Sequence, residues 1–400
     1  MTLALPITAS TLVSPLGRGL QAHAAALQTQ QAGLRPHLQA FAPKLNSFFG
    51  EVDALADVQL PPALQSYHCR NHQLAWLALQ TDGFAEAVAQ AVARYGAHRV
   101  GIAVGTSTSG ILETELALMH NAQHGCFPPD YRYEHTHRMN ALADFCAAAL
   151  GAAGPRLVIS TACSSSAKVF ATAARWMAHD LVDAVVVGGV DSLCLTTLHG
   201  FNALGLVSET PVRPLDAKRN GINIGEAGGF MLLEKQPPHA PQIVLSGYGE
   251  SSDAYHISTP HPEGEGARQA MQQALDRAKL APSQIDYLNL HGTGTPSNDL
   301  SESKAVHRVF GENLPPLSST KGFTGHTLGA AGITEAVFCQ IALQNQLVPA
   351  NLNLQQVDAE LDLQPVTQTQ AAKVQHAMSN SFGFGGNNAT LIFSLTEAAR

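Results

Sequence analysis

The sequence predicts an α/β layered fold around a central sheet, and three observations carry that reading. Short runs of β-branched and aliphatic residues alternate with Ala-rich stretches along the whole chain. The short runs are apolar almost throughout, as strands buried on both faces are. Hydrophobic residues make up 45% of the chain and charged residues only 14%. That composition fits a large core and does not fit a disordered chain.

Taken in order, the segment MTLALPITASTLVSPLG is apolar and has no basic residue before Arg18. Pro6 and Pro15 interrupt it, so it reads as a buried first strand and a turn and not as a secretion signal. Helical spacing then predicts a helix over Gln73–Tyr95, followed by a strand at Arg99–Val104. A helix at Ala141–Leu150, a strand at Leu157–Ser160, a helix at Ser164–His179 and a strand at Ala184–Val187 come next. PPHAP at Pro237–Pro241 is the best internal boundary, dividing the chain into halves 1–240 and 241–400. The second half offers strands at Gln242–Ser246, Tyr287–Leu290 and Thr390–Ser394, with helices at Ala267–Lys279 and Gly329–Gln344.

Composition also excludes several functions. A net charge of −8 and a pI near 6.1 argue against nucleic acid or anionic membrane as the main partner. No apolar run of about 18 residues is present, so no membrane span is expected. The six cysteines (Cys69, Cys126, Cys146, Cys163, Cys194 and Cys339) are scattered, with no CxxC pair or ligand spacing. No metal site is expected from them, and free thiols in a reducing cytoplasm are the default.

Four segments carry chemistry. In LVISTACSSSAKVFATAARWM a short strand turns into a helix at Cys163, and Val169, Phe170, Ala173 and Met177 give that helix a buried face. A thiol at a helix N-terminus is expected to have a lowered pKa and to be a better nucleophile. In YLNLHGTGTPSNDLSESKAV an apolar strand ends at His291, where catalytic groups of α/β folds collect. Asp299 and Glu302 in the same segment open a helix and suit its N-terminal dipole, as caps or ion-pair partners. In SSTKGFTGHTLGAAGITEAV, Lys321 and His326 precede a helix of small residues fit for close packing. Glu335 follows His326 by nine residues and is placed to pair with Lys321. In NSFGFGGNNATLIF, the glycines around Phe384 make a turn able to offer backbone N–H groups to an oxyanion, with Phe384 as a mobile lid.

TACSSS, HGTGTP, KGFTGHTLGAAG and GFGGNN, in this order and spacing, resemble the β-ketoacyl-acyl carrier protein synthases of the elongating Cys-His-His type. The similarity runs along essentially the whole chain, including PLDAKRNGINIGEAGG. It implies the thiolase fold, a five-layer αβαβα sandwich of two similar halves. It implies that Cys163 carries the acyl chain as a thioester, and that His291 and His326 polarise the malonyl thioester and promote loss of CO₂. Cys163 and Phe384 N–H groups would form the oxyanion hole, with Phe384 as the gate. Lys321 and Glu335 would hold the histidines, and Thr293 and Thr295 would meet the phosphopantetheine arm. No cofactor is implied. The partners implied are an acyl carrier protein and a second subunit, either a copy of the chain or a related chain-length-factor-like protein.

Pocket residues are expected from 105–126 and 131–142. The segment Ser66–His72 matches a region where relatives dock the carrier with basic residues, and here only Arg70 is strongly basic, beside His68 and His72. Lys218 and Arg219 are the other docking candidates. Asn387 stands where many relatives carry Thr, and Asn220 where many carry Asp; neither removes a catalytic group. A silent chain-length-factor subunit would lack the nucleophile. A thiolase or Cys-His-Asn enzyme would lack His326 or add a cysteine near the C-terminus. A cysteine hydrolase leaves the paired histidines and the lysine without a role. The TACSSSAKVF and RNGINIGEAGG wording resembles synthases of specialised polyene clusters more than housekeeping ones.

Overall fold

The computed structural model describes residues 4–38 and 44–396. Its first half comprises β1 (Leu5–Ser14), α1 (Gly19–Thr29), α2 (Arg70–Leu79), α3 (Phe84–Tyr95), β2 (Val100–Gly105) and α4 (Ile111–His124), then α5 (Ala141–Leu150), β3 (Arg156–Ile159), α6 (Ser165–Ala178), β4 (Ala184–Asp191), α7 (Leu195–Ala203) and β5 (Ala227–Glu234). The second comprises β6 (Ile243–Ser252), α8 (Glu265–Ala278), β7 (Tyr287–Asn289), α9 (Pro296–Phe310), β8 (Leu317–Ser318), α10 (Ala331–Asn345), β9 (His376–Gly383) and β10 (Asn387–Leu395).

These strands form one hydrogen-bonded path, β8-β7-β9-β10-β6-β1-β5-β4-β2-β3. Each run of five repeats one plan. β3, β2 and β4 are parallel neighbours, and β4, β5 and β1 continue antiparallel. Likewise β8, β7 and β9 are parallel, and β9, β10 and β6 antiparallel. β1 joins the two sets, pairing Ile7–Val13 with β5 and Leu5–Ile7 with β6. The repeat lies in the pairing order and not in the residues, so it is not visible in the sequence.

The strands' alternation sorts side chains into five layers. Val185, Val187, Met231 and Leu233 face one way, onto α6 and α10, where Leu391 and Phe393 meet them from the strands of the second half. Val186, Phe230 and Leu232 face the opposite way, onto α2, α3 and α5. Ile392 and Met378 face α8 and α9. As the central helix, α10 is buried from Ala331 through Leu343. A methyl group on Gly332 would fall 2.5 Å from the Ala167 backbone nitrogen of α6, so the small residues there do serve backbone-to-backbone packing.

Most predicted elements are present with ends shifted by a few residues. Gln73–Tyr95 is not one helix: α2 stops at Leu79, and Asp82 and Gly83 take positive φ before α3 begins. Thr81-Asp82-Gly83 is a turn sequence whose conformation no continuous helix allows. Among the described residues no helix is long and apolar enough to cross a membrane.

Candidate active site

The active-site side chains sit at the carboxyl ends of strands, drawn from both halves. Cys163 follows β3 on a sharp turn in which Ala162 takes φ +51°. Ser165 locks that turn: its hydroxyl donates to Ala162 O (2.6 Å) and accepts from Thr161 N (2.8 Å). Cys163 thus stands just ahead of α6. His291 follows β7, and Lys321 and His326 follow β8. Phe384 follows β9, and Gly383 is the residue that lets this loop reach Cys163. A methyl on Gly383 would lie 2.7 Å from Thr161 O and 3.3 Å from Cys163 N.

Three of the predicted groups converge. Cys163 Sγ is 3.0 Å from His326 Nε2, and the sulfur and one ring nitrogen of each of His291 and His326 all lie within 4.8 Å of one another. The two rings are 5.3 Å apart and nearly perpendicular. Hydrogen bonds fix where their protons lie. Leu328 N donates to His326 Nδ1 (3.3 Å), and Lys321 Nζ, a donor only, faces His291 Nδ1 at 3.4 Å. Each Nδ1 therefore accepts, and each ring carries its proton on Nε2. That arrangement leaves each ring an N–H at Nε2, with that of His326 facing Cys163 Sγ; a metal ion there would need lone pairs instead. Burial, followed by the charge of Lys321, holds both histidines well below their ordinary pKa, so both are neutral.

Lys321 is 2% exposed and donates to His291 O and to Glu335 Oε1 (2.5 Å), the pair expected from the sequence. Glu302 is a clamp on the His291 turn, accepting from His291 N and Gly292 N at 2.8 Å each and from Asn380 Nδ2 at 3.1 Å. Asp299 accepts from Gly294 N (3.2 Å) and Leu215 N (3.0 Å). These two acids thus hold a loop, a more specific task than capping. Thr293 and Thr295 are bonded hydroxyl to hydroxyl (2.9 Å), and both line the cleft that opens onto Cys163. Phe384 packs on Phe201 with ring centres 5.6 Å apart. Asn387 accepts from Lys168 Nζ (3.3 Å), and the exposed Asn220 accepts from Ser208 Oγ (2.8 Å).

Several expectations are corrected. The Cys163 thiol is not acidified at rest: burial pushes it up to about 12, outweighing Lys321 and the Phe384 N–H that pull it down. Arg70 is 6% exposed and paired with Glu226 (2.5 Å) and Glu51 (3.5 Å), so it holds the core and offers no docking charge. Arg219 is likewise buried against Asp299 and Asp358. His72 is fully buried and stacked on Phe145. Lys218 and His68 remain exposed. The cleft takes its walls from Phe201, Leu206, Ile222, Asp253 and the 258–260 and 291–298 segments, and not from 105–126 or 131–142. Parts of both segments instead border a separate groove beside His68.

The reassignment of Arg70 is testable. Arg70→Ala would leave Glu226 and Glu51 buried without their cation, at a cost of about 3–5 kcal/mol. Thermal melting should show this loss, with Lys218→Ala melting as wild type. An Arg70→Ala protein of unchanged Tm would return Arg70 to the surface.

Asp191 was not singled out in the sequence, yet its carboxylate is wholly buried and joins the 106–108 loop to Gly329. The available signal was an acid ending the apolar run AVVVGGVD.

Residues 48–239 match the N-terminal domain of beta-ketoacyl synthases, and residues 243–355 match their C-terminal domain. The chain is 39% identical to a 3-oxoacyl-[acyl-carrier-protein] synthase 2 of Staphylococcus aureus over 62% of its own length, and the match spans 64% of that relative. It is 35% identical to the synthase of the same name from Vibrio cholerae, over 74% of this chain and 76% of that one. Among solved structures, a chain of the complex of a ketosynthase with its chain length factor from Xenorhabdus doucetiae is 37% identical, with a TM-score of 0.90 over 98% of both chains. With matches to both domains and a fold shared along its length, the chain belongs to the beta-ketoacyl synthase family.

Proposed function

We propose that this protein is a β-ketoacyl-acyl carrier protein synthase that performs a decarboxylative Claisen condensation. The observation that carries the reading is the convergence of Cys163 Sγ with two neutral imidazoles, each with its proton on Nε2. Cys163 takes an acyl group from a carrier thioester, its proton leaving with the carrier thiol. The N-terminal end of α6 favours the charge that develops on sulfur. A malonyl thioester then enters along Thr293 and Thr295. Loss of CO₂ leaves its electron pair as an enolate, and His291 and His326 donate to that oxygen. The enolate carbon attacks the Cys163 thioester, the N–H groups of Cys163 and Phe384 receive the oxyanion, and the thiolate leaves. This chemistry calls for no metal or organic cofactor. Residues 1–240 supply the nucleophile and residues 241–400 the histidines, lysine and gate.

The partner is an acyl carrier protein, with Lys218 as the exposed docking candidate that remains. The Xenorhabdus complex favours a second reading, in which the chain is the active subunit beside a chain-length-factor-like partner, and the TACSSSAKVF and RNGINIGEAGG segments favour a specialised polyene pathway for it. Six unpaired cysteines fit a reducing cytoplasm. The test is to incubate the purified chain with malonyl- and acyl-loaded carrier, alone and with a chain-length-factor-like protein from the same source, and to weigh the carrier by mass spectrometry. A 3-oxoacyl product made by the chain alone supports the first arrangement, and one made only with the partner supports the second. No product in either arm sinks the assignment.

A further inference from the structure

We propose that Asp191 is a positioning residue for His326: through Gly329 it holds the turn whose Leu328 N–H keeps the His326 proton on Nε2, facing Cys163. The inference rests on the condensing-enzyme reading above and adds a residue to its machinery. Asp191 ends β4, the strand beside β2 in the first half. Its Oδ1 accepts from Thr106 Oγ1 (2.7 Å), Ser107 N (2.7 Å), Thr108 N (3.0 Å) and Thr108 Oγ1 (3.1 Å). Its Oδ2 accepts from Ser107 Oγ and from Gly329 N (2.6 Å). One carboxylate so ties a loop of the first half to the turn after His326 in the second.

That turn is unusual. Leu328 takes φ +52°, a conformation an L-residue adopts where its surroundings impose it. Gly329 is the next residue, so the Asp191 bond to Gly329 N fixes the peptide that follows Leu328. With Leu328 held there, its own N–H lies 3.3 Å from His326 Nδ1. An Nδ1 that accepts carries no proton, which leaves the proton on Nε2, 3.0 Å from Cys163 Sγ. Released from this turn, His326 is free to move its proton to Nδ1 and present a bare lone pair where the enolate oxygen needs a donor. Asp191 also acts on the nucleophile directly, since its charge is one of the causes that raise the Cys163 thiol.

Three measurements test this. In the wild-type protein, ¹⁵N NMR of labelled histidine, with the His326 signal assigned by its loss in His326→Asn, should show a protonated Nε2 and a bare Nδ1. The opposite tautomer overturns the proposal and needs no folded Asp191 variant. Asp191→Asn keeps the shape but replaces one acceptor oxygen with a donor, so it cannot serve both loops. Turnover in condensation should fall about tenfold or more while KM for the acyl carrier moves less than about threefold, the mark of a lost transition-state contact. The His326 signal should shift toward a mixture of tautomers, and the pH midpoint of Cys163 alkylation by iodoacetamide should move down. An Asn variant with the wild-type tautomer overturns the proposal, whatever its turnover. A wild-type chain that makes no condensation product yet shows the Nε2–H tautomer leaves this inference standing and removes the condensing-enzyme reading instead.

Discussion

Cys163→Ala is expected to abolish acyl loading and to lower condensation by about 10⁴-fold or more, while decarboxylation of malonyl-carrier continues. Loading fails because no other thiol reaches the two imidazoles. Cys69, Cys146, Cys194 and Cys339 are buried elsewhere, and Cys126 is exposed. Decarboxylation survives because the imidazoles do not depend on the sulfur for their placement. His326 is held by its N–H to Asn223 O (2.7 Å) and by Leu328 N at Nδ1. His291 is held by Lys321 and by the Glu302 clamp on its backbone. The alanine variant should therefore turn malonyl-carrier into acetyl-carrier without consuming an acyl donor. Intact-mass measurement reads both effects at once. A covalent acyl adduct persisting in Cys163→Ala, or mapping to Cys126, would disprove the assignment of the nucleophile.

The reach of the sequence in this protein follows a physical line. Strand-end residues were legible because apolar runs that stop at Cys163 and His291 mark where side chains leave the sheet. The central strands were found where β-branched residues dominate, as in AVVV, and missed where glycine thins the pattern, as in AGGFMLLE of β5. Charge was the poorest guide. Arg70 and Arg219 look like surface cations in the sequence, but their carboxylate partners Glu226, Asp299 and Asp358 come from far along the chain. Asp191 escaped for the same reason: its meaning lies in Gly329, a contact between the halves. The thiol expectation failed on burial. The start of a helix argued for an acidic Cys163, while the surrounding layers, invisible in the local sequence, exclude the water that a thiolate needs.

Lys321→Ala should separate the two half-reactions in the opposite sense from the cysteine variant. Loading of Cys163 should persist, slowed by no more than about tenfold, because Sγ is in contact with His326 and the Phe384 N–H, while Lys321 acts on it only through its charge. Decarboxylation should fall by about 100-fold, since His291 loses the donor that keeps its proton on Nε2. Stability will fall as well, and its pH dependence identifies the cause. Burial already raises the Glu335 carboxyl to about 7 against the pull of Lys321, and without the lysine it rises further. A carboxyl raised above its unfolded value is at ease protonated and costs stability once ionised. The variant should thus approach wild-type stability near pH 4.5 and lose it progressively as pH rises through 7 and beyond. Adding Glu335→Gln removes the carboxylate and should restore the Tm at pH 8 without restoring decarboxylation. If the double variant recovers both, Lys321 acts only by neutralising Glu335; if it recovers the Tm alone, the lysine is needed at His291 itself.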